Sequence, residues 1–208
     1  GKGLRPSVWS RPFRAPHHSS SVASLMGGTA RALPGDISMA HGGVLFLDEL
    51  SEFPHTVLNQ LRQPLETGHI RVNRAQCQHL YPAQFQLVAA MNPCPCGLAG
   101  DPDCRCRCTP DQIRRYRQGI SGPLMDRIDL HITLQRPSPE FLLIKSSTNA
   151  TYSRDLKRRV GLLQNRQRER QGCLNRELAG DDLLKACQLK SSTERWLINA
   201  ASTLNLSA

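Results

Sequence analysis

Apolar residues occur in short continuous runs through the first two thirds of the chain. Residues 43–47 form one such run, which leads into two acids, and residues 85–91 form another. Continuous rather than alternating apolar runs are typical of strands buried on both faces of a parallel sheet. Residues 130–134 predict a third strand, after a short helical stretch at 113–117. The pattern therefore predicts a parallel α/β domain.

Two local elements are predicted between the first two strands. A stripe of apolar residues predicts a helix with Pro54 in its first turn and a stop at Gly68, and Pro64 predicts a kink or early fraying within it. Residues 69–82 alternate between apolar and polar side chains, which predicts a β-hairpin with its turn at 74–76.

The segment that contains Pro137 and Pro139 is a natural domain boundary. Beyond it, helical spacing occurs in three segments: 152–170, 181–189 and 193–205. The sequence thus predicts a partial α/β core at 1–136, followed by a small and incomplete helical lid domain at 137–208.

Composition narrows the classes of function. The 208 residues carry a formal net charge of +10, which favours a polyanionic partner such as nucleic acid. No apolar run approaches the roughly 18 residues of a membrane span, and the first residues lack the layout of a signal peptide. The eight cysteines would suit disulfides in a secreted protein, but nothing else indicates secretion, so we expect a reduced, cytoplasmic protein.

Polar side chains follow two of the predicted strands. Asp48 and Glu49 end the first strand, and Asn92 follows the second. Ligands of open α/β sheets gather at the carboxyl ends of the strands. There, one carboxylate would hold Mg²⁺, the next would activate a water molecule, and the amide would position that water or contact the γ-phosphate of ATP. The alternative is a helix cap and a solvated pair of acids.

Five cysteines lie in one short loop: Cys94, Cys96, Cys104, Cys106 and Cys108. Zinc takes four soft ligands in tetrahedral geometry, so four of these five thiols would be enough for a structural site. The spacing C-x-C is tighter than that of most zinc sites. A redox-active cluster and free thiols are the alternatives.

Six motifs are spread between residues 11 and 130, at positions 11–18, 34–38, 40–42, 43–49, 92–97 and 121–130. Together they resemble the bacterial YifB/ComM family of magnesium-chelatase-like AAA+ ATPases over nearly the whole chain. The resemblance implies a hexameric ring with ATP at the subunit interfaces. It also implies a DNA helicase that drives branch migration in natural transformation.

The resemblance implies a role for each residue at the strand ends. Asp48 matches the Walker B acid that associates with Mg²⁺, Glu49 matches the catalytic acid, and Asn92 matches sensor 1. Arg127 matches an arginine finger, a cation that offsets phosphoryl charge on the ATP of the neighbouring subunit. The alternative for this arginine is a local ion pair with a neighbouring acid, Asp126 or Asp129.

The predicted hairpin resembles the pre-sensor-1 hairpin of related helicases, which projects into a central pore. Its basic side chains would follow a phosphate backbone without reading sequence: His69, Arg71, Arg74 and His79. An ordinary solvated hairpin is the alternative.

The sequence departs from the family in two respects. It contains no G-x-x-x-x-G-K-[ST] phosphate loop, and it stops where the family begins the helix that bears the sensor 2 arginine. We therefore expect this fragment alone to bind ATP poorly and not to hydrolyse it. Two other functions compete with a DNA-remodelling ATPase: a chelatase-type motor subunit that drives metal insertion into a tetrapyrrole, and a non-enzymatic, zinc-stabilised nucleic-acid-binding module.

Overall fold

A computed structural model of the chain describes residues 11–28, 32–74, 77–100, 105–134 and 150–204. Contacts divide the chain into two compact units, Gly1–Arg136 and Pro137–Ala208. The described strands are β1 (Phe13–Arg14), β2 (Val44–Leu47), β3 (His69–Arg74), β4 (Cys77–Pro82) and β5 (Gln86–Ala89). The first unit also contains the helices α1 (Val22–Met26), α2 (Asp36–Met39), α3 (His55–Thr67), α4 (Pro110–Gln118) and α5 (Gly122–Met125).

Three strands form a parallel sheet in the order β1-β2-β5. The central strand β2 places Leu45 and Leu47 in the core, whereas its other face is only half-buried. The strands predicted at 43–47 and 85–91 are therefore confirmed in position. The sheet lies in register with Leu47 opposite Ala89, so β2 and β5 end at the same edge.

The structure corrects two expectations about strands. The burial predicted for β5 is wrong, because β5 pairs only with β2 among the described residues and Val88 is 43% exposed. The strand predicted at 130–134 is also wrong, and that segment has no regular structure. Its three apolar side chains, Leu130, Ile132 and Leu134, are 79–87% exposed. No described element pairs with this segment or covers it, and an apolar run without a partner strand cannot form a ladder.

Helix α3 supplies much of the core. Its buried face carries Val57, Leu58 and Leu61, and it continues through Pro64 as far as Thr67. Gly68 ends the helix with φ +70° and donates its N–H to the carbonyl of Pro64. Glycine suits this left-handed position because it has no Cβ.

Strands β3 and β4 form the predicted antiparallel hairpin, with His69 opposite Pro82 and Arg74 opposite Cys77. Ile70 and Val72 are buried against the core, as the alternation predicted. The hydroxyl of Tyr81 donates to the carbonyl of Ala32 at 2.6 Å, which ties the hairpin to the rest of the unit.

The second unit is helical, as predicted. Its helices are α6 (Ala150–Gln171), α7 (Gly180–Cys187) and α8 (Ser191–Leu204), with a 3-10 turn at Asn175–Glu177. Throughout the described part of the chain, every helix is too short or too polar to cross a lipid bilayer.

Candidate functional site

The predicted acids lie at the carboxyl edge of the parallel sheet. Beyond the ends of β2 and β5 the two chains remain paired, because Leu50 donates its N–H to the carbonyl of Ala90 at 2.9 Å. Asp48 and Glu49 precede Leu50, and Asn92 lies two residues after Ala90. The side chains of all three are exposed. The sheet therefore brings the two acids and the segment that carries the amide to one solvent-facing edge.

The backbone at the acid pair has an unusual conformation. Glu49 has φ +52° and ψ +50°, a left-handed conformation that costs a non-glycine residue on the order of 1–3 kcal/mol. Asp48 stabilises this turn, since its Oδ1 accepts the N–H of Glu49 at 2.9 Å. Glu49 occupies the N-cap position of the 3-10 turn Leu50–Glu52 but makes no side-chain capping bond. The helix-cap alternative therefore does not explain the pair, and such outliers cluster at functional sites.

A histidine that the sequence did not single out contacts the acid pair. His18 comes after β1, the strand that pairs with β2 in the sheet. Its Nδ1 lies 3.1 Å from Oε2 of Glu49. The run of two histidines after a short basic segment was the available signal. These histidines belong to the motif at 11–18, but the sequence assigns neither a role because β1 has only two residues and no periodicity.

Arg127 lies in the turn after α5 and pairs with an acid on α3. Its Nε and Nη2 donate to Oε1 of Glu66 at 3.0 and 2.7 Å. The alternative that Arg127 pairs with a neighbouring acid, Asp126 or Asp129, is wrong, because its partner is Glu66. Both side chains are about 40% exposed, and exposed pairs of this kind contribute only about 0–1 kcal/mol.

The basic residues of the hairpin do not share one face. Cross-strand pairing puts His69 and Arg71 on one face with Leu80, whereas His79 faces the other way, opposite Val72. The ring of His79 stacks on Tyr81 with centroids 5.9 Å apart. The side chain of the fourth basic residue, Arg74, lies outside the described part of the structure.

Four thiols of the cysteine loop converge. The Sγ atoms of Cys94, Cys96, Cys106 and Cys108 all lie within 4.8 Å of one another. Cys104 lies outside the described residues. The distance from the Cys94 sulfur to that of Cys96 is 3.3 Å and to that of Cys106 is 3.7 Å, and Cys96 and Cys106 are 3.6 Å apart. Tetrahedral zinc with bonds of about 2.3 Å separates its sulfurs by about 3.8 Å, so the four thiols fit such an ion.

Local hydrogen bonds favour the thiolate form of Cys96, whereas burial and the neighbouring thiols raise the pKa of Cys106, and the thiol of Cys96 and burial raise the pKa of Cys108. The backbone N–H of Leu98 and the neighbouring thiol of Cys94 lower the pKa of Cys96 to about 6. Cys94 is buried, and its sulfur accepts the N–H of Ala99 at 3.3 Å. Thiolates are the form that binds metals, and N–H donors to sulfur favour that form.

Helix α4 connects the thiol cluster to the acid pair. It starts directly after Cys108, where Thr109 and Gln112 form a capping box. Further along, Arg117 donates to the carbonyl of Pro93 at 3.3 Å. Ser51, which lies two residues after Glu49, donates its hydroxyl hydrogen to the hydroxyl oxygen of Tyr116 at 2.6 Å. Sequence patterns gave no signal for these contacts.

Two family profiles match this chain. They are magnesium chelatase, subunit ChlI, over residues 2–142, and magnesium chelatase, subunit ChlI C-terminal, over residues 150–208. YifB of Salmonella typhimurium is 44% identical over 198 residues, and competence protein ComM of Haemophilus influenzae is 43% identical over 198 residues. The chain belongs to the magnesium-chelatase-like family that includes YifB and ComM. Together with the parallel sheet, this confirms the α/β class of AAA+ proteins with a C-terminal helical region.

The chain spans only part of its YifB and ComM relatives. The two alignments cover 95% of this chain but 38% of each relative. Among solved structures, NtrX from Brucella abortus in complex with ADP is similar to it with a TM-score of 0.41 and 17% identity. That similarity covers 61% of this chain and 26% of the NtrX chain.

Proposed function

We propose that this chain carries the water-activating part of an ATPase site. The observation that supports this most strongly is the acid pair in its left-handed turn at the edge of the parallel sheet. Oδ1 of Asp48 accepts the backbone of Glu49, and among the described residues Oδ2 has no protein partner. Hard oxygen atoms of this kind suit Mg²⁺. When bound, Mg²⁺-ATP would supply the phosphoryl group and a counter-charge for it.

Each polar group at this edge has a distinct role in the proposal. Asp48 holds the metal, Glu49 orients the attacking water and accepts its proton, and Asn92 fixes the position of that water or of the γ-phosphate. The sequence has no phosphate loop, so the 208-residue chain by itself is expected to bind ATP weakly and not to hydrolyse it.

Arg127 is proposed to complete the site of a neighbouring subunit in a hexameric ring. In this chain its guanidinium is held by Glu66 at the surface and is partly exposed. A cation presented on a surface turn is suited to reach a phosphate of another subunit. The Arg127–Glu66 pair is weak, so Arg127 can exchange Glu66 for a phosphate at low cost.

The polymer that the motor acts on is proposed to be DNA, in single-stranded or branched form. The formal net charge of +10 supports this choice. On the hairpin, the exposed face with His69 and Arg71 is the better candidate for backbone contact, because His79 faces the other way.

Replacing Arg71 with alanine tests the hairpin. We expect weaker binding to all DNA sequences alike, and a slope of log K against log salt that is reduced by about 1, because one phosphate contact is lost. Asn73→Ala is the matched control, since Asn73 is exposed on the same face and is neutral. Equal salt slopes for the two variants would mean that Arg71 contacts no phosphate, and would contradict the proposal that the hairpin binds DNA.

The thiol cluster is proposed to hold a structural zinc ion through Cys94, Cys96, Cys106 and Cys108. All four ligands are sulfur and they close the coordination sphere, as in structural rather than catalytic zinc sites. Cysteines that are not oxidised to disulfides persist in reducing compartments, so we also propose that the protein works in the cytoplasm.

The ATPase rate with different DNA molecules tests the proposed function. The measurement uses a longer protein that contains this chain and has the full length of YifB or ComM. Its ATPase rate is measured in the presence of forked DNA, in the presence of single-stranded DNA and without DNA. We expect DNA to raise kcat. Hydrolysis that ignores DNA would favour a chelatase-type motor that drives metal insertion into a tetrapyrrole. DNA binding without any hydrolysis would favour a zinc-stabilised nucleic-acid-binding module.

A further inference from the structure

Helix α4 contacts both segments that carry the polar groups of the sheet edge. The first is the acid turn, residues 48–52, where the hydroxyl of Ser51 donates to the hydroxyl oxygen of Tyr116 at 2.6 Å. The second follows Asn92, where the carbonyl of Pro93 accepts from Nε of Arg117 at 3.3 Å. A single helix therefore bridges the turn with the two acids and the segment with the amide.

The contact at Ser51 restrains the backbone of the acid turn. Ser51 is the middle residue of the 3-10 turn Leu50–Glu52, whose N-cap residue is Glu49 in its left-handed conformation. The N–H of Glu52 donates to the carbonyl of Glu49 at 2.8 Å, so the 3-10 turn and the left-handed residue share a hydrogen bond. Strained backbone of this kind persists only where its surroundings over-determine it. The contact with Tyr116 is one of these restraints, and it comes from a residue 65 positions further along the chain.

Helix α4 depends on its ends for its position. None of its nine residues, all of which the structure describes, is buried, and helices of fewer than about 12 residues are marginal in water by themselves. At its C-terminal end, the buried side chain of Ile120 joins the core. At its N-terminal end, the capping box of Thr109 directly follows Cys108 of the thiol cluster. The position of Tyr116 therefore depends on the cluster as well as on the core.

The thiol cluster lies beside this tyrosine. Cys96, Cys108 and Tyr116 line one shallow depression of the surface. The cluster also joins two segments, because two of its thiols follow β5 and the other two precede α4. An ion held by all four sulfurs would fix the start of α4 against the segment after β5.

We propose that Tyr116 is a positioning residue for the acid turn, and that α4 makes the position of this turn depend on metal in the thiol cluster. Tyr116 accepts the hydroxyl hydrogen of Ser51 and thereby limits the conformations of Glu49. Loss of the ion releases the start of α4, and the tyrosine then no longer holds the turn. This inference rests on the proposed roles of Glu49 and of the zinc ion. Tyr116 itself is assigned no contact with ATP or with the attacking water.

Kinetics of a protein with the full length of YifB or ComM test the role of Tyr116. Tyr116→Phe removes only the hydroxyl, and we expect kcat to fall about tenfold with an unchanged KM for ATP, because a misplaced base slows the chemical step without affecting binding. Tyr152→Phe is the matched control, since Tyr152 is an exposed tyrosine on α6, and it should leave kcat unaltered. A wild-type kcat for Tyr116→Phe would overturn the proposal.

A double-mutant cycle shows whether Tyr116 acts through Ser51. Ser51→Ala should cause a loss similar to that of Tyr116→Phe, and the two changes together should cause no further loss, because either one breaks the same hydrogen bond. Ser51→Thr keeps a hydroxyl and should recover part of the rate that Ser51→Ala loses. Losses that multiply in the double variant would mean that the two residues act independently, contrary to the proposal.

Amide hydrogen exchange in the 208-residue chain tests the link to the metal without any hydrolysis. In the zinc-loaded protein, the N–H groups of α4 and of Glu52 should be protected, and a chelator should speed the exchange of both. In Tyr116→Phe, the chelator should speed exchange in α4 only, because the acid turn is already released. A chelator that speeds exchange in α4 of the wild type but leaves Glu52 unchanged would overturn the link.

The exchange measurement also separates this inference from the proposed function. If the full-length protein does not hydrolyse ATP, the proposed function fails, while exchange at Glu52 still decides whether Tyr116 holds the acid turn. Faster exchange at Glu52 in Tyr116→Phe than in the wild type supports the positioning role, and equal exchange in the two proteins overturns it. A chain that takes up no zinc overturns the dependence on metal.

Discussion

Glu49→Gln is expected to abolish most ATP turnover in a protein of the full length of YifB or ComM. Removing a general base costs about 10²–10⁴-fold in rate, and the amide has the same shape as the acid without its basicity. The KM for ATP should change little, because Asp48, and not Glu49, is the proposed ligand of Mg²⁺. A kcat equal to that of the wild type would contradict the proposal that Glu49 is the general base.

Two further variants show whether the loss is specific to that side chain. Glu52→Gln makes the same chemical change three residues away on the exposed side of the 3-10 turn, and should leave kcat unaltered. Asp48→Asn should weaken ATP binding as well as turnover, because it removes a proposed oxygen ligand of Mg²⁺. If both acids affected binding and turnover alike, the division of roles between them would be wrong.

The purified chain is expected to carry one zinc ion, and Cys106→Ser should remove it. Ligand binding stabilises a fold by about 4 kcal/mol when free ligand exceeds its dissociation constant a thousandfold, so the zinc-free protein should melt at a clearly lower temperature. Zinc content by inductively coupled plasma spectroscopy and thermal unfolding with and without a chelator measure both effects. Affinity should fall as pH falls, because protons compete with the metal for thiolates.

Cys187→Ser is the matched control for the cluster. Cys187 is a free, exposed thiol at the end of α7 in the helical unit and belongs to no cluster in the described part of the chain. This variant should retain the ion and the melting temperature of the wild type. The wild-type protein could instead be stably folded without metal, with a melting temperature that the chelator does not change. That result would contradict the zinc site and favour free or redox-active thiols.

Much of the fold could be predicted from local patterns. The apolar runs identified β2 and the position of β5, and the alternation at 69–82 identified the hairpin, because both patterns depend only on which face of a strand is buried. Strand β1 was missed because two residues are too few for a period. The strand expected at 130–134 failed for a related reason, since a pattern cannot show whether a partner strand is available.

The acids of the candidate site could be predicted from their place at a strand end, but their partners could not. His18 and Glu49 are brought together by strand pairing across about thirty residues, and Arg127 reaches Glu66 on a different helix. Such contacts follow from packing rather than from spacing along the chain. The thiols were predictable as a group because they are close in sequence, whereas the convergence of four sulfurs within 4.8 Å became apparent only in three dimensions.

The parallel pairing of the sheet has a consequence for the order of folding. In register, Phe13 lies opposite Val44 and Val44 lies opposite Gln86, so both pairings close loops of several tens of residues. The hairpin strands β3 and β4, by contrast, are separated by only two residues in the sequence. Long loops lose more entropy on closure and form late, so the hairpin and α3 should be in place before the sheet. The edge that joins His18, Glu49 and Ala90 exists only after that last pairing, which makes the candidate site one of the final features of this unit to form.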